Sequence, residues 1–462
     1  MYGAEHLSDR VALVFDGVER TYIELHERVA RVAGALAAQG VRPGDRVAML
    51  LHNGLEFPET LLACFRLGAI AVPINFRLTP SEIDYIVADA GAISLVDGPL
   101  DGEPAPQAAV DASDPALICY TSGTTGRPKG AVLSHANLVA STRSWIHEMG
   151  ATADDVWLSG QPLFHIGGIN GMLPFLTLGA KAVITPTTGF DPEAAVRLME
   201  EHAVTMCIFV PTQWDQITAI PQRTRLRTAM WGAAPASRTT LEALARTYPG
   251  VDIVSAYGQT EMSGATTLLK GPDATRKMGS VGKPMRDVEL RLEDEVDGIG
   301  EIVYRGPFVM QGYWNDADAT ARKLKPGHWP GDRVLRSGDL FRQDEEGFLY
   351  FVGRSDDIIK SRGEKVAPKE VEEVLYLYEG VREAAVVGVE DDLLGQAIVA
   401  HVSAEEGVEL DPKLLRRHCA ERLEDFMVPG KVVIHDDLPK TDNGKLDKLA
   451  LAAMRDLPVA AR

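Results

Sequence analysis

The chain of 462 residues is short of cysteine, of surplus positive charge and of unbroken apolar sequence, and each shortage removes a class of explanation. Its four cysteines (Cys64, Cys119, Cys207 and Cys419) stand far apart with no CxxC pair, so neither a disulfide framework nor a structural zinc is expected. They read as reduced, buried thiols. Lys and Arg number 47 against 66 Asp and Glu, a formal charge of −19, which argues against general nucleic-acid binding. Binding of a single nucleotide is untouched by that argument, because it needs only local cations and backbone N–H groups. The most apolar early stretch, LLACFRLGAIAVPINF (61–76), is broken by Arg66 and Pro73, so no membrane span is expected. The opening MYGAEHLSDR is polar and acidic, unlike a secretion signal, and points to a cytoplasmic location. No fixed-period repeat and no low-complexity tract is visible.

What is present alternates. Thr21-Tyr-Ile-Glu24 is a capping box that opens a helix with apolar residues at helical spacing through Ala38. RVAMLL (46–51) reads as a buried strand, a helix is expected around 55–67, AIAVPIN (69–75) is strand-like, and TPSEIDYIVADAG (79–91) restarts a helix. The segment 97–114, with three prolines and five acids, reads as a surface loop. Alternation resumes with ALICYTS, AVITPT, TMCIFVPT, LRTAMWG and VDIVSAYG, which implies an α/β fold with a largely parallel sheet. After about residue 285 short β segments take over, and from Pro368 a compact unit of roughly 100 residues follows, the size of a small domain.

YTSGTTGRPKG (120–130) cannot be a helix interior or a central strand. It fails the Walker pattern, because Lys129 is followed by Gly130 and no Ser or Thr stands beside the lysine. Taken alone, a loop of this composition is as ordinary as any flexible connection. That plain reading is the commoner one, though its hydroxyls Thr121, Ser122, Thr124 and Thr125, its glycines and Lys129 could still clasp a phosphate.

Other motifs decide between these readings. QPLFHIGG (161–168), WGAAP (231–235), YGQTEMSG (257–264), RSGDL (336–340), GRSDDIIKSRGEKV (353–366) and PKTDNGKLDK (439–448) follow the loop in order. Together they resemble the motif series of the adenylate-forming superfamily: acyl-CoA synthetases, adenylation domains and firefly luciferase. Within it the pattern is most similar to bacterial fatty-acid or carboxylate–CoA ligases. The resemblance covers nearly the whole chain. It implies a large N-terminal domain of mainly parallel βα layers with a small β subdomain (1–353), a hinge (354–357) and a small mobile α+β C-terminal domain (358–462).

The resemblance also implies a reaction, in which a carboxylate attacks the α-phosphate of ATP, pyrophosphate leaves, and the acyl-adenylate passes its acyl group to the thiol of coenzyme A. Two anions must meet, so cations have to screen both. In this reading Thr121, Ser122, Gly123, Thr124, Thr125, Gly126 and Lys129 hold the departing pyrophosphate. Glu261, assisted by Thr260, holds Mg²⁺, with Thr121 as a second metal candidate. Gly232, Ala233, Ala234, Pro235, Tyr257, Gly258 and Gln259 form the adenine side, and Asp339 with Arg354 holds the ribose. Lys445 is the catalytic lysine, Asp356 the hinge, and Gly363 lines the pantetheine channel. Phe164, His165, Trp214, Trp231 and Gly264 are candidates for the acyl pocket, His165 as its gate.

Each residue has a plainer reading beside the sharp one. Glu261 alone is a surface acid, Asp339 a turn residue, Lys445 a solvated lysine, His165 a satisfied core histidine and Asp356 an ion-pair partner. His135 is expected to position the loop or start a helix, and Lys360 and Arg362 are either solvated charges or contacts for the CoA phosphates. Three features depart from the family pattern. Trp231 stands where a small residue is usual, so its indole either narrows the acyl pocket or adenine site, or is core and points away. The stretch from Val96 to Leu117 is short, and Arg362 is bulkier than the residue often found before the channel glycine. The apolar and aromatic lining segments favour a hydrophobic acid, with no basic residue matched to a second carboxylate. A carrier-protein thiol as acceptor, an enzyme that only uses preformed adenylate, a luciferase-like oxygenase and a non-catalytic ATP-binding regulator are the rivals. A homodimer is left open.

Overall fold

A computed structural model of the chain describes residues 9–121, 127–187, 189–232, 236–327, 332–355, 357–362, 364–391, 393–405, 407–440 and 446–454. The chain divides into two compact units, Met1–Arg291 with Val303–Arg336, and Leu292–Ile302 with Ser337–Arg462. That division falls ahead of the hinge the sequence suggested at 354–357.

The first unit is built on two sheets. One runs through Ser280–Pro284, Gly264–Leu269, Asp252–Gln259, Thr228–Gly232, Met206–Ile208, Val156–Ser159, Lys181–Ile184, Val11–Phe15 and Val18–Thr21. Its strands from Val11–Phe15 to Asp252–Gln259 are parallel to their neighbours, and antiparallel pairs close both flanks. Parallel strands buried on both faces read as continuous apolar runs, and TAMWG (228–232) is buried throughout. Helices Pro192–Glu201, Pro211–Thr218 and Arg238–Thr247 contribute Val196, Trp214, Ile217, Leu241 and Leu244 to a core with Phe209 and Trp231.

The other sheet of this unit is six-stranded, in the order Gly312–Tyr313, Lys129–Ser134, Pro115–Thr121, Ile70–Pro73, Arg46–Met49, Ser94–Val96. Its first strand comes from far along the chain and pairs Gly312 with Val132 and Tyr313 with Ala131. The predicted capping box forms: Thr21 Oγ1 accepts from the Glu24 N–H, and Glu24 accepts from the Thr21 N–H at 2.8 Å, starting helix Tyr22–Ala38. The expected surface loop 97–114 is pinned rather than loose. Ala105 N–H donates to Ala30 O and Ala108 N–H to Arg66 O, and Gly34 and Gly102 lie where a Cβ would strike backbone of the opposite segment.

The second unit holds a five-stranded sheet of Glu364–Val366, Ile359–Ser361, Gly395–Ala404, Val381–Asp391 and, parallel to Gly395–Ala404, Lys431–His435. Helices Pro368–Tyr376 and Pro412–Ala420 cover it through Val371, Leu375, Leu415 and Cys419, which share an apolar cluster with Val386, Ala400 and Val402. All four cysteines are buried and free, as their scatter suggested. Among the described residues no helix is long and apolar enough to cross a membrane.

Candidate active site

The glycine-rich stretch enters and leaves through paired strands. Thr121 ends Pro115–Thr121, Lys129 begins Lys129–Ser134, and the two face each other in the ladder. Ser122, Gly123, Thr124, Thr125 and Gly126 lie outside the described residues. Both arms are tied to helix Pro80–Ala90: Tyr120 donates its hydroxyl to Asp89 Oδ2 at 2.5 Å, and the Arg127 guanidinium sits over the Tyr85 ring at 5.2 Å. Burial, then the bond to Asp89, raises the Tyr120 pKa, so the phenol stays protonated and remains a donor.

Glu261 lies in the short 3₁₀ turn Thr260–Met262. The turn is set by Ser263 in the left-handed region at φ 56° and Gly264 at φ 115°. A Cβ on Gly264 would meet the Asn170 amide, and one on Gly258 would meet Gly264 O, so YGQTEMSG needs both glycines for close approach. Ser141 Oγ donates to Ser263 O at 3.1 Å and Asn170 Nδ2 donates to Ser141 Oγ, fixing the turn on helices His135–Met149 and Ile166–Leu178. Gly264, called a pocket residue from sequence, is thus packed against Asn170.

The Tyr313 hydroxyl donates to Glu261 Oε1 at 2.6 Å, and Lys129 Nζ lies 5.8 Å from the centre of the same ring. The structure therefore brings together two sequence candidates, Lys129 and Glu261, around a residue the sequence reading missed. Among the described residues no group of three or more His, Cys, Asp or Glu side chains could hold a metal. A single carboxylate fits Mg²⁺ bound mainly through phosphate oxygens and water, the usual mode for that ion. Thr121, the second metal candidate, directs its hydroxyl to Lys129 O at 3.4 Å, a long contact.

The adenine-side candidates lie on adjacent parallel strands, with Gly232 opposite Ala256 and Tyr257 one position further. Gly232 brings its backbone close to Ala256 O, which an added Cβ would approach to 3.1 Å. Tyr257 O accepts from Thr266 Oγ1, and Gln259 Nε2 reaches the Tyr257 hydroxyl at 3.4 Å. Ala233, Ala234 and Pro235 are outside the described residues.

The acyl-pocket candidates separate. The Phe164 and His165 rings lie 4.4 Å apart, tilted by 53°, just ahead of helix Ile166–Leu178, in an aromatic row that continues to Phe76 and His52. The His165 carbonyl accepts from the Gly168 and Ile169 N–H groups, so its backbone starts that helix. Trp214 and Trp231 instead belong to the core. Trp214 is fully buried and donates Nε1–H to Met230 O at 2.8 Å, and Trp231 is 4% exposed in the same cluster as Phe209, Leu241 and Leu244. For these two, the pocket-lining expectation gives way to the plain alternative of a core tryptophan. Alternation along Thr228–Gly232 places Trp231 on the side of Ala229, facing the helices.

Strand Arg333–Gln343, which belongs to the second unit from Ser337 onward, and strand Leu349–Arg354 set Asp339 opposite Arg354. Asp339 is 5% exposed and lies 3.6 Å from the Arg354 guanidinium. Its backbone is held within the strand: Asp339 N–H donates to Ser337 Oγ, and Gly338 N–H donates to Glu301 at 2.8 Å. Asp356, Gly363 and Lys445 lie outside the described residues. Arg362 is described, at φ 56°, with its N–H donating to Leu394 O.

A βα unit carrying a glycine-rich hairpin and a Thr-Glu turn, followed by a small α+β unit, is the architecture of an adenylate-forming enzyme. Residues 2–105 and 94–314 match the family model described as AMP-binding enzyme, and residues 370–445 match the AMP-binding enzyme C-terminal domain. The chain belongs to this AMP-binding, adenylate-forming family. It is similar to a feruloyl-CoA synthase of an Amycolatopsis species, 38% identical with 94% of this chain and 93% of the relative covered. An indoleacetate–CoA ligase of Aromatoleum aromaticum is 35% identical over 95% and 94% of the two chains. Among solved structures, an O-succinylbenzoate coenzyme A synthetase of Bacillus subtilis in complex with ATP and magnesium ion superposes with a TM-score of 0.87, at 31% identity over 97% and 98%.

The sequence missed Tyr313 because Gly312-Tyr-Trp carries no charge or glycine-rich signature. It missed Tyr85 and Asp89 because they read only as the polar face of an amphipathic helix.

Proposed function

We propose that the chain joins a hydrophobic, aryl-bearing carboxylic acid to coenzyme A. It is an ATP-dependent, AMP-forming acid–thiol ligase: the acid is activated as an acyl-adenylate with release of pyrophosphate, and the acyl group is then transferred to the CoA thiol. Feruloyl-CoA synthase and indoleacetate–CoA ligase, both relatives over more than nine-tenths of this chain, support an aryl acid. The observation that carries the reading is the meeting of Lys129 and Glu261 on the Tyr313 ring and hydroxyl. A lysine ammonium and a carboxylate in one cluster support a cation for leaving phosphates and an anion for a metal.

In this reading Lys129 and the backbone beside Thr121 neutralise the departing pyrophosphate. Glu261 holds Mg²⁺, which when bound screens the phosphate charge during attack. Asp339, beside the Arg354 guanidinium, accepts from the ribose hydroxyls, and Tyr257 with Gly232 borders the base. Phe164 and His165 close the acyl end. Lys445 stabilises charge where the carboxylate meets the α-phosphate, Asp356 is the hinge, and Gly363 leaves room for the pantetheine arm. The acceptor is free CoA rather than a carrier-protein thiol, and the setting is the cytoplasm.

A panel of carboxylic acids scored for both pyrophosphate release and thioester tests this directly. Cinnamic and indole-acetic acids should give both products with consumption of free CoA thiol. Pyrophosphate without any CoA thioester would assign a different acceptor, and turnover confined to acids that carry no aryl group would overturn the aryl assignment.

A further inference from the structure

We propose that Tyr313 is a positioning residue of the adenylation step, fixing the Glu261 carboxylate through its hydroxyl and the Lys129 ammonium against its ring. The inference rests on the assignment of Glu261 to Mg²⁺ and of Lys129 to pyrophosphate. These residues come from separate parts of the sequence, and what sets their spacing is the segment 310–314. Met310 N–H donates to Glu261 O at 2.9 Å, Gln311 N–H to Val132 O at 2.9 Å, and Trp314 N–H to Gly130 O at 2.7 Å. One short segment is thus bonded to the backbone of the glutamate turn and to the strand that Lys129 begins.

Tyr313 sits at the centre of that clamp, 9% exposed, its own N–H donating to Thr320 Oγ1 at 2.8 Å. A buried phenol so held has little freedom. Its bond to Glu261 Oε1, at 2.6 Å, fixes the rotation of the carboxyl plane and leaves Oε2 to meet a cation. The ring face attracts the ammonium, at 5.8 Å within the range of cation–π contacts. Hydroxyl and ring therefore do separable work: the first orients the metal ligand, the second the pyrophosphate cation.

The test uses Tyr313→Phe, which removes only the hydroxyl, Tyr313→Leu, which also removes the ring, and Glu261→Gln as reference. Mn²⁺ binding to the protein with a non-hydrolysable ATP analogue is read by electron paramagnetic resonance. Magnesium and pyrophosphate dependence of acid-driven ATP–pyrophosphate exchange, and thioester formation from a synthetic cinnamoyl-adenylate and CoA, are measured alongside. Tyr313→Phe should weaken Mn²⁺ binding and raise the half-saturating Mg²⁺ by about tenfold, the usual worth of a hydrogen bond to a charged group. The pyrophosphate KM should rise only in Tyr313→Leu, and thioester formation should stay within about twofold in both variants. Unchanged Mn²⁺ affinity in Tyr313→Phe beside a weakened Glu261→Gln overturns the role of Tyr313. Equal losses in exchange and thioester formation overturn it too, since they mark a merely structural residue. If Glu261→Gln itself binds Mn²⁺ as the unsubstituted protein does, it is the metal assignment that fails.

Discussion

Trp231 shows how much one side chain's direction matters. An indole buries about 150–250 Å², so it either fills a substrate pocket or supplies a large part of a core. Here it packs with Phe209, Leu241 and Leu244 beside Trp214, whose indole N–H is satisfied by Met230 O. Trp231→Ala should therefore lower stability by about 3–5 kcal/mol, the cost of a large cavity in a close-packed interior. Trp231→Phe should lose much less and leave the ranking of acids unchanged. Denaturant unfolding followed by tryptophan fluorescence gives the first quantity, and the acid panel the second. A shift of preference toward bulkier acids in Trp231→Phe would mean that the indole faces substrate after all.

At the scale of elements, strands Gly395–Ala404 and Lys431–His435 run parallel and bring His401 and His435 together, one ring nitrogen donating to the other at 2.9 Å. His401 is 2% exposed, and burial, followed by the charges of His435 and Lys431, lowers its pKa to about 4. The His435 pKa is also lowered by burial, with Asp436 opposing. A histidine whose folded pKa lies below its unfolded value stabilises the fold fully above the unfolded pKa, near 6.5, and loses that contribution as pH falls toward the folded value. Through His401 the second unit should accordingly weaken between about pH 6.5 and 4, by about 3 kcal/mol. His401→Leu should flatten that slope in pH-dependent thermal unfolding. A slope identical to that of the parent chain would show that other groups cause it.

Elements also explain what could and could not be read beforehand. The helix Tyr22–Ala38 was legible because its capping box is contained in Thr21–Glu24 and its apolar period is local. Thr21→Ala should cost about 1 kcal/mol, measurable by thermal unfolding, and no loss would mean that the cap is dispensable. The alternation of strands and helices gave the parallel sheet for the same local reason. The side to which Trp231 points was not legible, since a strand apolar on both faces offers no polar residue to mark the outside. The link between Tyr313 and Glu261 crosses 52 positions, and a hydrogen bond across such a separation leaves no trace in the local pattern. Of the candidate site, the glycines and charges lie in motifs that a sequence displays, whereas Tyr313, the aromatic residue that contacts both Glu261 and Lys129, lies in none of them.

At the scale of the whole molecule, the two units each have their own apolar core, one including Leu158, Phe209 and Trp231, the other Val371, Val386 and Val402. The proposed roles divide along the same line. Thr121, Lys129 and Glu261 belong to the first unit, Asp339, Arg354, Asp356, Gly363 and Lys445 to the second. In the proposed function Lys445 serves a step in which negative charge collects at the α-phosphate, and Gly363 serves passage of a thiol. Damage to them should separate the half-reactions. Lys445→Ala should slow acid-dependent pyrophosphate exchange by at least about 100-fold, the scale for loss of a group that stabilises transition-state charge. Its thioester formation from a preformed acyl-adenylate should remain within about threefold. Gly363→Val should do the reverse, sparing exchange and blocking the thioester, because a branched side chain would narrow the channel that the proposed function assigns to Gly363. Both rates are measured on the same preparations. If Lys445→Ala slows the two half-reactions equally, the lysine is not specific to adenylation, and the functional division between the units fails with it.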